Sequence, residues 1–263
     1  MTPALRRVAT ASLVAAVLSS ASAAAGMAPL DALVAAYPDH LAGHDGVALI
    51  WRDGTRMPVS DGVAEKSFDA LLNNADINDM FAIPYVPGPP VGEPPLNGDP
   101  GRIRNTAFFA KLYGDCHTGA VKDRLKKVRW VDGSSVPVSA VNGLADRLQR
   151  VADELAKLPQ SFRKFLAPSG GTYNCRNIAG TELMSMHAFG AAIDISTATT
   201  DYWRWNRPVG GLYPYRNQVP FEIVAIFERY GFIWGGKWYH YDTMHFEYRP
   251  ELLLHAGEKP VGF

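Results

Sequence analysis

The stretch Ser185–Ser196, SMHAFGAAIDIS, sets the tightest constraint on what this chain can fold into. Its second half alternates as a buried strand does, with Ile193 and Ile195 on one face and Ala192, Asp194 and Ser196 on the other. The isoleucines are then expected to pack into a core while Asp194 points into a cleft. His187 precedes Gly190, which permits a tight turn, so the chain can bring His187 back beside Asp194. Taken alone, such a His–Asp pair is more often a structural hydrogen bond than a functional site.

A second stretch changes that balance. Gly235–Pro250, GGKWYHYDTMHFEYRP, gathers His240, Asp242, His245 and Glu247. Alternation in HFEY puts His245 and Glu247 on one face, with Phe246 and Tyr248 on the other. Zinc takes imidazole nitrogen and carboxylate oxygen, and a catalytic zinc keeps three protein ligands and a water. His187, Asp194 and His245 supply that set for one ion. Asp242 is the nearest spare carboxylate for the proton of the water, while Glu247 either competes with it or orients His245. Arg176 is a cation able to stabilise an oxyanion. His240 either lines the cleft or lies on the surface, and Lys237 is a further cation that could meet a substrate carboxylate. Trp203, Trp205, Trp234, Trp238 and Tyr239 read as core or cleft wall. His40, His44, His117 and His255 carry no spacing signal.

The rest of the chain gives the setting. Arg6 and Arg7 precede an apolar run, Val8 to Leu18, and then Ala21-Ser22-Ala23, the layout of a secretory signal peptide. The run falls short of the roughly 20 residues a membrane helix needs, so no stable membrane insertion is expected after cleavage. Export favours pairing the only two cysteines, Cys116 and Cys175. Acidic and basic residues balance at 26 each, without a basic stripe, which argues against nucleic acid as a partner. Nothing in the sequence sets the oligomeric state.

Gly46–Gly62 reads as a hairpin around Asp53-Gly54, and the Pro/Gly-rich Ile83–Gly101 as a loop. Val141, Leu144, Leu148, Val151, Leu155 and Leu158 form one helical stripe that Pro159 ends, and a second helix starts at Pro220 and stops at Gly231. Strand-like pieces fall at Gly171–Arg176, Ala191–Ser196, Gly231–Trp234 and His245–Tyr248. These elements alternate too irregularly for a doubly wound sheet. The expectation is an α+β fold, a small antiparallel sheet with flanking helices carrying a single zinc site. The division is a signal peptide (1–25), an N-terminal extension with the hairpin and Pro/Gly-rich loop (26–100) and a domain carrying the zinc site (101–263).

The two motif stretches together resemble the paired motifs of the LAS-type zinc metallopeptidases, the D-Ala-D-Ala carboxypeptidase and L-alanyl-D-glutamate endopeptidase family. SMHAFGAAID matches the form S-x-H-x-x-G-x-A-x-D at every specified position, and GGKWYHYDTMHFE is similar to the endopeptidase-like branch. The resemblance spans Ser139 to Pro250. It implies His187, Asp194 and His245 as zinc ligands, Asp242 as general base, Ser185 as a substrate contact and Arg176 as the arginine that steadies the transition state. The expected function is therefore an exported zinc peptidase hydrolysing peptidoglycan stem peptides, as a carboxypeptidase or an endopeptidase. A non-catalytic, zinc-stabilised wall-binding module is the alternative, and it would need no spare base at Asp242.

Overall fold

The computed structural model describes residues 26–178, 181 and 183–263, so the expected signal peptide lies outside the described residues. The chain enters through α1 (Pro29–Ala36), with proline in its first turn, where the missing N–H costs nothing. Three short strands follow, β1 (Leu41–His44), β2 (Ala48–Trp51) and β3 (Arg56–Pro58), forming an antiparallel sheet in that order. The turn between β2 and β3 is the expected one: Asp53 Oδ1 accepts from the backbone N–H and the hydroxyl of Thr55, and Gly54 takes a φ of +81°. Next come α2 (Phe68–Asn73), capped by Ser67, and α3 (Thr106–Tyr113), capped by Asn105. Between them the Pro/Gly-rich stretch Ile83–Gly101 contains neither α-helix nor strand.

A hairpin of β4 (Leu125–Arg129) and β5 (Ser135–Ser139) leads into α4 (Leu144–Leu155) through a single 3-10 turn, Val141–Gly143. The helical stripe is real, but its first turn is broken off by Asn142, whose φ is +55°. Leu144, Leu148, Val151 and Leu155 are buried, and α4 packs on both strands of the hairpin. The short α5 (Arg163–Leu166) precedes the sheet that carries the first motif. That sheet is β6 (Ala192–Asp194), β7 (Phe232–Trp234) and β8 (His245–Tyr248), antiparallel in the order β6-β8-β7. Helix α6 (Phe221–Arg229) lies just before β7, with Pro220 at its N-cap rather than inside its first turn. Helix α7 (Pro250–His255) closes the chain and packs on α1.

The expected α+β class holds, with three small antiparallel sheets among the described residues rather than one. One prediction fails. Gly171–Arg176 is not a strand; only Gly171 pairs, in a single bridge to Asp194. That edge of β6 is free, but after Gly171 the chain turns away to the His187 turn, where the Thr172 carbonyl faces His187 Nδ1 and the Asn174 N–H donates to the His187 carbonyl.

The inward face of the motif sheet explains its stability. Ile193, Ile195 and Phe246 have no exposure, and Phe246 stacks on Phe227 of α6 at 3.8 Å between ring centroids. The same core takes in Leu33, Tyr37, Leu49 and Trp51 from the first sixty residues, together with Phe108, Leu148 and Leu252. Buried polar ties join these regions as well: the Tyr37 hydroxyl donates to Glu251 at 2.7 Å, and Arg249 pairs with both Glu251 and Glu247. Among the described residues, no helix is long and apolar enough to cross a membrane.

Candidate metal centre

Three elements bring the site together. His187 sits on a 3-10 turn, Met186–Phe189, whose first N–H groups need a cap; the hydroxyl of Ser185 accepts from the His187 N–H at 3.3 Å. Gly190 ends the turn with a φ of +64°, and a Cβ there would meet Leu125 at 2.9 Å and the Ser139 nitrogen at 3.1 Å. The motif glycine thus serves twice, for its left-handed backbone and for the close approach of β5. Asp194 ends β6 and lies directly across from His245 at the start of β8. Register alone therefore fixes two of the three groups.

The ligand geometry fits a small tetrahedral cation. His187 Nε2 lies 3.2 Å from Asp194 Oδ1 and 3.2 Å from His245 Nδ1, and His245 Nδ1 lies 3.0 Å from Asp194 Oδ1. Ligand atoms at the ~2.0–2.2 Å of zinc in a tetrahedral shell stand roughly 3.3–3.5 Å apart, close to this spacing. The tautomers agree. His187 Nδ1 faces the Thr172 carbonyl, which can only accept, so that nitrogen carries the proton and Nε2 keeps its lone pair. His245 Nε2 faces Glu247 Oε2 at 3.0 Å, which in the same way leaves Nδ1 free to ligate.

Electrostatics point the same way. Burial pushes the His245 ring down, but its hydrogen bonds to Asp194 and Glu247 reverse this and raise it to about 10, so the centre stabilises positive charge. Burial would raise Asp194, yet the facing His187 and His245 hold it well below the carboxylate range. Glu247 is fully buried; Arg104, His245 and Arg249 overcome the cost of that burial and hold it at about 2. It is the second of the two readings of Glu247 that the geometry carries: it orients His245 and does not face the cleft.

Asp242 lines the same cleft as the three ligands. Its main chain is fixed by Gly235, whose carbonyl accepts from Asp242 N at 3.0 Å, and by His245, whose N–H donates to the Asp242 carbonyl at 3.2 Å. The Gly-Gly pair makes this approach possible: a Cβ on Gly235 would stand 2.6 Å from the Asp242 oxygen, and one on Gly236 would overlap the Trp234 ring. Burial, then the neighbouring Asp194, pushes the Asp242 carboxyl up to about 6, and its buried Oδ1 has no hydrogen-bond partner among the described residues.

Around this centre opens a cavity of about 330 Å³ lined also by Arg102, Arg104, Arg176, Ser185, Tyr202, Trp205 and Trp238. Residues 179–248 match the D-alanyl-D-alanine carboxypeptidase family. The resemblance read from the two motifs holds over that span, which contains His187, Asp194, Asp242 and His245. The carboxypeptidase match does not reach Arg102, Arg104 or Arg176. Comparisons with curated proteins and with solved structures gave no match to the chain.

The structure places the other expected residues unevenly. Arg176 is exposed at the cleft edge, with one long hydrogen bond from Nη1 to the Asn177 carbonyl at 3.4 Å. The preceding Cys175 is joined to Cys116, as expected, so the Arg176 segment is tethered beside the 3-10 turn after α3. His240 does not line the cleft; its Nδ1 is 2.6 Å from Asp99 Oδ2. Lys237 is not available to a substrate either, since its ammonium donates to Glu228 and to the carbonyls of Val86 and Gly88. Trp203 and Tyr239 flank His240, Trp234 is core, and Trp205 and Trp238 are cleft wall. Sequence reading missed Arg102 and Arg104. Their alternation around buried Ile103 was the available signal, hidden by the proline-rich stretch before it.

Proposed function

We propose that this protein is an exported zinc-dependent peptidase that hydrolyses peptide bonds in peptidoglycan stem peptides. The single observation that carries the reading is the convergence of His187 Nε2, Asp194 and His245 Nδ1 beside the unpartnered carboxylate oxygen of Asp242. Zinc held by the three ligands would supply Lewis acidity at the scissile carbonyl and activate water at neutral pH.

The chain's own residues supply the remaining chemistry. Asp242 takes a proton from the attacking water and delivers it to the leaving amine nitrogen as the C–N bond breaks. Its raised pKa suits both halves of that task, because a base held near the working pH also gives its proton back readily. Arg176 reaches into the cleft from its edge and meets the oxyanion that develops on the carbonyl. Ser185 stands at the cleft floor with its hydroxyl beside His187, where it contacts the peptide backbone. Glu247 and the Thr172 carbonyl hold the two histidine rings in ligating orientation. The disulfide and the family match support export and action on the cell wall.

The decisive experiment is mass analysis of products from defined muropeptides, with zinc-loaded and chelated protein. Cleavage that depends on zinc establishes the reaction and identifies the bond. Equal cleavage after chelation sinks it.

A further inference from the structure

The cleft holds a cation that hydrolysis itself does not use. Three arginines line it. Arg104 is committed, through Nε to the Gly101 carbonyl at 3.0 Å and through Nη2 to Glu247 at 3.3 Å. Arg176 stands at the exposed edge. Arg102 is different: it is mostly buried, and it keeps open donors.

Its guanidinium is fixed on two sides. Nη1 donates to the His240 carbonyl at 3.1 Å, and the group lies over the Trp238 ring at 5.5 Å from its centroid. Trp238 is itself held by its indole N–H, which donates to the Pro100 carbonyl. Among the described residues no carboxylate is within hydrogen-bond reach of its side chain: Asp99 lies at 4.0 Å, and Asp242 feels its charge across the cleft. Asp99 is already occupied, accepting from the His240 N–H at 2.9 Å and facing His240 Nδ1 at 2.6 Å. Nε and Nη2 of Arg102 have no partner among the described residues. They form one edge of a rigid planar fork, the geometry that takes a carboxylate through two parallel hydrogen bonds.

We propose that Arg102 binds a free carboxylate of the peptide substrate and thereby selects which stem peptides are cut. The inference rests on the peptidase reading and adds its specificity. The Trp238 ring gives the scale: the Arg102 guanidinium and the His245 ring each lie 5.5 Å from its centre. The two groups therefore stand at most about 11 Å apart, and an extended residue spans ~3.3–3.6 Å, so the carboxylate belongs within about three residues of the scissile bond. Two carboxylates in stem peptides meet that condition, the C-terminal one of D-Ala-D-Ala and the free α-carboxylate of γ-linked D-Glu. Because the fork is held before substrate arrives, little ordering cost opposes binding.

The test uses the zinc-loaded full chain and two acid/amide pairs, an acyl-D-Ala-D-Ala peptide with its terminal amide and an L-Ala-γ-D-Glu peptide with its α-amide. Wild type should prefer the acid at least about tenfold in kcat/KM in one pair, and that pair names the source of the carboxylate. In Arg102→Gln that preference should fall about tenfold or more, to near unity, chiefly through KM, with zinc content unchanged. Arg102→Lys, which keeps the charge but not the fork, should fall in between, and it carries the test if the glutamine variant does not fold. A preference retained in a zinc-bearing variant overturns the proposal, as does a wild type that cuts acid and amide alike. If wild type cuts none of the four peptides, the peptidase reading fails first and this inference falls with it.

Discussion

Glu247 holds His245 from behind: its Oε2 lies 3.0 Å from Nε2, on the side of the ring opposite the nitrogen that faces Asp194. The two residues are next-nearest neighbours on β8, so the strand's own alternation builds the contact. Arg104 and Arg249 complete the surroundings of the carboxylate, at 3.3 and 3.1 Å. Glu247→Gln removes the charge that the two arginines and the His245 ring share. Zinc affinity should fall about 10–100-fold, measured by competition with a chromophoric chelator. An unchanged affinity would remove Glu247 from the ligand's support.

The charge on Glu247 also links stability to pH. Its folded pKa is depressed to about 2 from an ordinary value of 4.5. The stabilisation is therefore complete above about pH 4.5 and is lost as pH falls towards 2. Urea titrations of wild type and Glu247→Gln should differ in their pH dependence across that window. Parallel curves would contradict the assignment.

Asp242→Asn separates binding from turnover. The variant should keep its zinc, because none of the three ligand atoms is touched, and lose hydrolysis by about 100-fold or more. In wild type the base must be ionised, so kcat/KM should rise with pH on an acid limb. Burial and Asp194 place that limb near pH 6; a bound divalent cation moves it lower, since positive charge favours the carboxylate. The limb should vanish in Asp242→Asn. A variant that binds wall peptides and turns them over as well as wild type would favour a base elsewhere.

The Cys116–Cys175 bond closes a long loop, with 59 residues of separation, and loop entropy puts its contribution at about 4 kcal/mol. Cys175→Ser should lower unfolding stability by that order in denaturant titrations. It should also lower kcat, because Arg176 is the next residue. A loss of stability with no change in kcat would argue against Arg176 at the transition state.

Gly190→Ala probes the motif's turn. The new methyl would meet Leu125 and the Ser139 nitrogen, in a backbone region that disfavours alanine. A loss of about 1–3 kcal/mol is expected, together with weaker zinc binding as the His187 turn shifts. Both are read from one zinc-dependent thermal melt series.

Much of the site was legible because it is built by local rules. Alternation placed Asp194, His245 and Glu247, and a glycine at the end of a turn returned His187 to them. What sequence could not supply was long-range pairing. Thr172, which fixes the tautomer of His187, announces nothing by type, since its backbone carbonyl does the work. Lys237 and His240 looked available, but the carbonyls of Val86 and Gly88 hold Lys237 together with nearby Glu228, and Asp99 holds His240, with all but Glu228 far away in sequence. Arg102 and Arg104 were hidden for the same reason: their neighbours in space are the second motif, more than a hundred residues on. The Gly171–Arg176 strand was misread because alternation reports a face and says nothing about the chain leaving the edge of β6 after one bridge to engage His187.

The seam between the Pro/Gly-rich stretch and the second motif has a consequence for how such a protein can change. Gly98, Asp99, Pro100 and Arg102 meet Trp238, Tyr239 and His240 through backbone and side-chain hydrogen bonds, so one side of the cleft comes from a segment that carries none of the metal-facing groups. Part of the cleft wall and the metal-facing groups are thus written in separate parts of the gene. Mutations in the proline-rich stretch can reshape that side of the cleft while the strands that carry the metal-facing groups stay as they are, a division of inheritance that lets one centre be fitted to new ligands.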